Sequence, residues 1–412
     1  GRASSNTTTQ IIWRVLVTFQ TLDDKQECRG VFYNGDFYFN ELPRNLDRTW
    51  AWSSHLEDYD IEFAEIWMGG KDIGEVCPIH LLDRYNFRKQ RLQAHIKAIV
   101  QSKVNLDDNC IYSLVPRHVL RHFYQLKNEI TDWVVENHPK PKNYSHLVES
   151  LQTINEISEQ ELQIDWDNHN LLFIQDPKAK ALYKRHSKTK SFINYNIFGT
   201  ITGRLSTFPN SFPIMNLKTE HRKIVLPQND LFIELDFNAA EIRTLFSLAN
   251  MEQPDTDIHQ FNIENVFSTR LNRENAKRRF FAWLYNPQSN DEELENFYNR
   301  TKILDKYYKD GYINTPFGRK IECDNFHALN YLLQSTSSDN CMDRINKIRK
   351  TLSGRKSNVA FMLHDCVVLD FSEQDSHLLP RIKEIFGDTR LGKFKINTKA
   401  GKTYGSLEDF SW

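Results

Sequence analysis

Long apolar runs are missing from this 412-residue chain. None approaches the length a membrane-spanning helix requires, which excludes an integral helical membrane protein. Cysteine is sparse, and the six residues (Cys28, Cys77, Cys110, Cys323, Cys341 and Cys366) are scattered with no CxxC pair. That spacing excludes a zinc ribbon, argues against a disulfide framework and favours a reducing compartment. The 15 glycines and 13 prolines are too few for a collagen-like or low-complexity chain. Neither sign of charge dominates: the formal net charge is -1, so a polyanion would have to be met by local patches. The opening GRASSNTTTQ has no apolar core and reads as a flexible tail or a leftover of cloning rather than a signal peptide. What is present is a globular composition, 40% hydrophobic with a high 12% aromatic share, in a chain long enough for about two or three domains.

The stretch Leu231 to Asn250 organises the rest. Leu231, Phe232, Ile233 and Leu235 are dense β-formers interrupted only by Glu234, which predicts a strand buried on at least one face. From Glu241 onward Ile242, Leu245, Phe246 and Ala249 recur at helical intervals, so a strand, a tight corner and a helix follow one another. Asp236 ends the strand, where a carboxylate is costly unless a cation meets it. The plain alternative is that Asp236 caps the helix.

Earlier segments supply a setting. Ile11 to about Gly70 favours strands (IIWRVLVTF, GVFYNGDFYF with a turn at Asn34-Gly35, RTWAW, IEFAEIW), a small β-rich domain. Its Asp60-Ile61-Glu62 is a DxE of the type that holds metal in proofreading nucleases, though a solvated strand accounts for it better. His80 to Gln163 is helical and charged. A basic helix over Asn86 to Lys103 carries Arg88, Lys89, Arg91 and Lys97, a second starts near Pro116, and a third follows the PKPK turn, together an expected antiparallel helical hairpin. The run Asp176 to Lys190 is basic and precedes a strand-turn signal at Thr200 to Ser206, which admits either a solvated face or phosphate contact.

Later segments supply the chemistry. Asp257-Ile258-His259 reads as a helix start. Over Arg273 to Asn286, Arg273, Lys277, Phe281 and Tyr285 stand four apart, drifting about 40° per step and lining one helical face for roughly 18 Å. Two cations followed by two aromatics match a triphosphate followed by a base, or else a solvated amphipathic helix. Thr315 to Lys320 reads as a turn, then a helix with Asn330 and Gln334 on one face, then a basic helix over Asp343 to Lys356. Phe361 to Phe371 predicts a hairpin with His364-Asp365 at its tip. Two buried strands each presenting an Asp, with a cation-aromatic helix, are the parts of a two-metal phosphoryl-transfer site.

In this order the segments resemble the family A DNA polymerases, from about Thr200 to the C-terminus, with the preceding helices fitting a thumb. TGRLS at Thr202 to Ser206 is similar to the family's primer-template motif, and DFNAAEIR at Asp236 to Arg243 to motif A. The helix from Arg273 to Tyr285 is similar to motif B, LHDC at Leu363 to Cys366 to motif C, and NxxxQ at Asn330 to Gln334 to the minor-groove-reading helix. The resemblance implies an α/β (α+β) right-hand fold with an antiparallel-sheet palm, helical fingers and helical thumb, plus the small β-rich N-terminal domain. The expected divisions are 1–80 (β-rich), 81–195 (thumb region), 196–255 (palm), 256–325 (fingers) and 326–412 (palm).

It also implies roles. Asp236 and Asp365 would carry two Mg²⁺ ions, with Mn²⁺ as a substitute and the Phe237 carbonyl assisting; Lys277 joins them as the catalytic set. Arg273, Lys277 and His259 would hold the triphosphate, Phe281 would stack on the incoming nucleotide, and Tyr285 would close over the nascent pair. Glu241 would be the steric gate against a ribose 2′-hydroxyl. Arg204, Asn216, Gln334 and His364 would contact the duplex. The implied activity is template-directed DNA synthesis from deoxynucleoside triphosphates on a DNA primer-template, by a monomer in a bacterial or phage-infected host cytoplasm, without functional proofreading. The alternatives are a single-subunit RNA polymerase or reverse transcriptase, disfavoured by the acidic gate and TGRLS, and a catalytically reduced DNA-binding factor.

Departures from the family pattern are specific. Cys366 stands where a second carboxylate is usual, so activity with altered metal preference is expected. Asn286 replaces a Gly, and Ala239-Ala240 a Gln-Ile pair. The stretch from Asn286 to Thr315 is short, implying abbreviated fingers and a compact, phage-type member. The region before the thumb is too short for a complete proofreading exonuclease, so it is either a reduced relic of one or an unrelated module.

Overall fold

The computed structural model describes residues 17–23, 29–39, 41–106, 109–269 and 271–411. The polar tail and most of the strand expected over Ile11 to Phe19 lie outside them. Residues 1–140 and 141–412 form two compact units.

In the first unit, β1 (Gln20–Asp23), β2 (Gly30–Tyr33) and β3 (Asp36–Phe39) form an antiparallel sheet. Asn34 and Gly35 turn the hairpin with φ 49 and 84, the left-handed pair that such a tight turn favours. Two-residue strands at Arg48–Thr49 and Glu62–Phe63 pair in parallel. The expected IEFAEIW strand stops there, and Ala64–Trp67 is a helical turn; the consecutive residues Phe63 and Ala64 are both buried, which alternation along a one-faced strand does not give. Helices α1 (Ile79–Gln101) and α2 (Arg117–Asn137) pack on these strands through Tyr85, Leu92, Leu120, Tyr124, Leu126 and Ile130. The boundary expected after residue 80 therefore falls inside one unit, and the antiparallel helical hairpin is α1 with α2, joined by Arg84–Glu129 at 2.8 Å. Cys110 is disulfide-bonded, which runs against the reducing compartment that the scattered spacing favoured; a partner brought close by folding leaves no trace in spacing. Cys77, Cys323, Cys341 and Cys366 are free.

The second unit is built on an antiparallel sheet whose central strand is the organising stretch. Helix α3 (Tyr144–Ser158) opens the unit, and α4 (Pro177–His186) occupies the basic run, capped by the Asp176 side chain. Then come β4 (Leu231–Phe237), α5 (Ala240–Leu248), α6 (Ile258–Asn265) and α7 (Arg273–Tyr285). Next is α8 (Asn325–Leu352), one continuous helix where two were expected. The sheet is completed by β5 (Asn358–Leu363), β6 (Cys366–Phe371), β7 (Ile396–Gly401) and β8 (Glu408–Asp409), in the order β5-β6-β4-β7-β8. A second core of Phe246, Phe280, Trp283, Tyr298, Leu329 and Leu333 joins α5, α7 and α8. No helix among the described residues is long and apolar enough to cross a membrane.

Candidate active site

The site forms at one end of the sheet, where Asp236 on the central strand lies beside the turn that carries Asp365. Asp236, at the end of β4, stands directly across from Cys366 on β6 and from Asn397 on β7. Asp365 occupies the tip between β5 and β6, after His364, whose φ of 49 makes the tight reversal. The Phe237 amide donates to the Asp365 carbonyl at 3.3 Å, tying the two strand ends together. Asp236 does not cap α5: the N-cap is Ala239, with φ 55 and no side-chain cap.

Both carboxyls are electrostatically unsettled. Burial, reinforced by the charges of Glu234 and Asp365 and opposed by a 3.4 Å hydrogen bond from Asn397, pushes Asp236 up to about 6. Burial also raises Asp365, against the pull of Arg204. The Arg204 guanidinium itself hydrogen-bonds Glu241. Two partly buried carboxyls raised in this way and lacking a bonded cation among the described residues suit a hard divalent ion.

Glu241, in the first turn of α5, accepts from both the Arg204 guanidinium and the Tyr285 hydroxyl. Its side chain is 13% exposed, so the carboxylate is held from two sides. Arg204 comes from the turn that joins the short strands Tyr195–Asn196 and Ser206–Thr207. Gly203 makes that turn possible with φ 77, and a Cβ there would lie 2.5 Å from the Arg319 guanidinium. Arg319 in turn pairs with the buried Asp339 of α8 at 2.6 Å, while Ser338 donates to the Gly203 carbonyl at 3.1 Å. The turn carrying Arg204 is thus braced by α8.

Helix α7 presents the expected face. Arg273 and Lys277 are exposed, and the Phe281 and Tyr285 rings stack at 5.6 Å with an interplanar angle of 2°. Asp257, which caps α6, accepts from Arg273 at 2.9 Å. His259 is 6% exposed and its ring lies 5.8 Å from Phe281; burial lowers its affinity for a proton. Arg300 fixes the far end of α7 by donating to the carbonyls of Trp283, Asn286, Pro287 and Ser289. On α8, Gln334 donates to Asn330 at 2.7 Å. Asn216 and His364 are exposed, His364 beside Asp365 and Asn216 in a short turn of helix.

The structure thus brings together Asp236, Asp365, Arg204, Glu241 and Tyr285 by direct contact or charge, with Phe281, Lys277 and Arg273 continuing along α7 and His259 beside Phe281 on α6. It adds two residues that sequence reading passed over. Glu234 shares the face of Asp236 by strand alternation and pairs with Lys399 at 3.8 Å, and Asn397 bonds Asp236. The period-two pattern could have flagged Glu234; nothing local marks Asn397.

A second cluster, Asp176, Glu220 and His221, has ligand-like spacing. Asp176 already accepts from Lys218 at 2.7 Å, His221 at 3.1 Å and the α4 backbone at 2.7 Å, so a protein cation occupies the place of a metal. It is a brace for α4 rather than a metal centre.

With this geometry in view, the fold has a solved counterpart. The chain matches the POL domain of Pol1 from M. smegmatis, solved in complex with DNA primer-template and dNTP, over 73% of this chain and 77% of that one, with a TM-score of 0.54 and 13% sequence identity. That likeness shows a shared polymerase-domain fold. No family model matches the chain, and no curated protein matches it in sequence.

Proposed function

We propose that this chain is a template-directed DNA polymerase that adds deoxynucleotides to a primer 3′ end and releases pyrophosphate. One observation carries the reading: Asp236 and Asp365 meet at adjacent strand ends beside a carboxylate held by Arg204 and Tyr285. In this reading residues 196–255 and 326–412 are the palm, 256–325 abbreviated fingers, and the helices between residues 141 and 195, in the same unit, contribute the thumb, in the manner of family A.

The two carboxylates, with the Phe237 carbonyl, would hold two Mg²⁺ ions, which when bound activate the primer hydroxyl and neutralise charge on the leaving pyrophosphate. The chain's own groups do the positioning. Lys277 and Arg273 sit on the exposed side of α7, where they bind triphosphate oxygens by charge-assisted hydrogen bonds, with Arg273 pre-oriented by Asp257. His259 presents a neutral ring beside them. Phe281 offers its face to the incoming base, and Tyr285 anchors the sugar end of that platform through Glu241. A ribose 2′-hydroxyl would meet the fixed Glu241 carboxylate, so deoxyribose is selected by occupied space. Arg204, Asn216, Gln334 and His364 contact the duplex, and the Lys and Arg residues of α4 contact its phosphates.

Proofreading is absent from this reading. Glu62 is engaged by Lys140 at 2.6 Å, which supports leaving Asp60 and Glu62 out of the metal set in this reading. Primer extension on a DNA template with Mg²⁺ tests the proposal. Extension with deoxynucleotides alone supports it, extension with ribonucleotides alone contradicts it, and primer shortening without nucleotides restores a nuclease to the N-terminal unit.

A further inference from the structure

The proposed polymerase site leaves unused a basic and aromatic ridge of the first unit, formed by α1 and α2. Phe87 stands 55% exposed on α1. Arg88 and Arg91 flank it, their guanidinium carbons 5.5 and 5.9 Å from the ring centroid. Across the helix pair Arg88 meets the His122 ring nitrogen at 3.3 Å, and His118 follows one turn away, its ring 6.5 Å from that of His122.

Three neighbouring cations are neutralised where these are not. Arg84 pairs with Glu129, Lys89 with Asp72 and Arg121 with Asp36. Among the described residues no carboxylate pairs with Arg88 or Arg91, and Asp83 and Glu129 mark the acidic edge of the ridge. Crowding of like charge around Arg88 is visible in His122, whose proton affinity is lowered by burial and then by Arg88, His118 and Arg91.

We propose that Phe87, Arg88, Arg91, His118 and His122 form a binding site for single-stranded DNA. An exposed aromatic face between two guanidinium groups matches an unpaired base between two backbone phosphates: the ring stacks on the base, and the cations take the phosphates. Duplex DNA offers phosphates but keeps its bases stacked inside, so it leaves Phe87 without a partner. An acidic peptide supplies charge but no flat ring system. The two occupants are separable by experiment.

The full chain is titrated with fluorescein-labelled oligo(dT) of about 12 nucleotides, within the range such sites cover, and anisotropy is read at several salt concentrations. The Arg88→Ala/Arg91→Ala variant is expected to bind about tenfold more weakly. Its log-log salt slope should be shallower by about 1.4, the loss of two phosphate contacts on a single strand. Extension rate at saturating primer-template should stay at the parent value. Because the polymerase site also binds DNA, Phe87→Trp gives a local readout: oligo(dT) should quench its added emission, and blunt duplex should not. Unchanged affinity and slope in the double variant, or no quenching of the new tryptophan, overturns the site. Equal quenching by duplex, or equal loss of binding to poly(Glu), overturns its assignment to single-stranded DNA.

Discussion

Asp236 faces Cys366 across the β4–β6 pair, a carboxylate opposite a buried thiol whose proton is held by burial and by Glu234 and Asp236. The position next to the hairpin's Asp365 is thereby neutral, and the acidic charge at the sheet end rests on Asp236 and Asp365, with Glu234 one step along the strand.

Removing either acid should stop the chemistry and spare the fold. Asp236→Asn and Asp365→Asn are expected to abolish primer extension while binding primer-template in a gel-shift assay, and wild-type extension by either variant would disprove the metal-binding assignment.

The raised carboxyl also predicts a pH dependence with a defined sign. Asp236 ionises near 3.8 unfolded and about 6 folded. Below pH 4 it is protonated in both states and makes no difference. Between pH 4 and 6 the unfolded chain gives up its proton first, so metal-free stability falls, and above 6 the penalty stays constant. Thermal melts without metal should therefore show Asp236→Asn gaining on the parent from pH 4 to 6, and Mg²⁺ should reverse that gain.

Glu241→Ala should admit ribonucleotides. Discrimination is expected to drop roughly 10- to 100-fold, about 1.4–2.7 kcal/mol of relative barrier, as the space that the carboxylate occupied opens to the 2′-hydroxyl. Single-nucleotide incorporation with matched deoxy and ribo substrates measures this directly, and unchanged selectivity would remove Glu241 from the gate.

Lys277 and Arg273 should separate kinetically. Lys277→Ala is expected to lower kcat about 100-fold or more, as loss of a donor to developing charge does. Arg273→Ala, whose guanidinium is shared with Asp257, should act mainly on KM for the nucleotide. Steady-state extension with varied deoxynucleotide distinguishes the two.

Cys366→Glu should add charge where the sheet end has little room for it. Without metal the variant should melt lower than the parent at pH 7, by about 1–3 kcal/mol in stability for an unpaired carboxylate at a buried position. Its melting temperature should then rise more steeply with Mg²⁺, and an insensitive melt would place residue 366 outside the metal's reach.

Much of the site could be read from periodicity. The β-formers of Leu231 to Leu235 and the four-residue spacing from Arg273 to Tyr285 are local patterns, and local patterns survive into β4 and α7. The hairpin tip at His364-Asp365 was equally visible because apolar runs flank it. Relationships between distant residues were not: Arg319 with Asp339, Asn397 with Asp236, and the choice of α1 rather than α3 as the partner of α2 depend on how the chain returns. Asp176 illustrates the limit, since its place in a basic run suggested phosphate contact and gave no sign that it caps α4 and binds Lys218. The join of two expected helices into α8 was hidden by its buried polar residues, Ser335, Thr336, Ser337, Asp339 and Asn340, which interrupt the apolar rhythm that marks a helix.

The brace between Gly203 and Arg319 binds the history of two positions that lie far apart in sequence. A Cβ at 203 would stand 2.5 Å from the guanidinium, a distance that no rearrangement of the alanine methyl itself can relieve. A descendant lineage that gains a side chain at 203 has to push the Arg319 guanidinium aside or replace it, and Asp339 would then be left buried without that partner. The three positions should therefore drift as a set, and a lineage that changed one alone would mark where this loop had already given up holding Arg204.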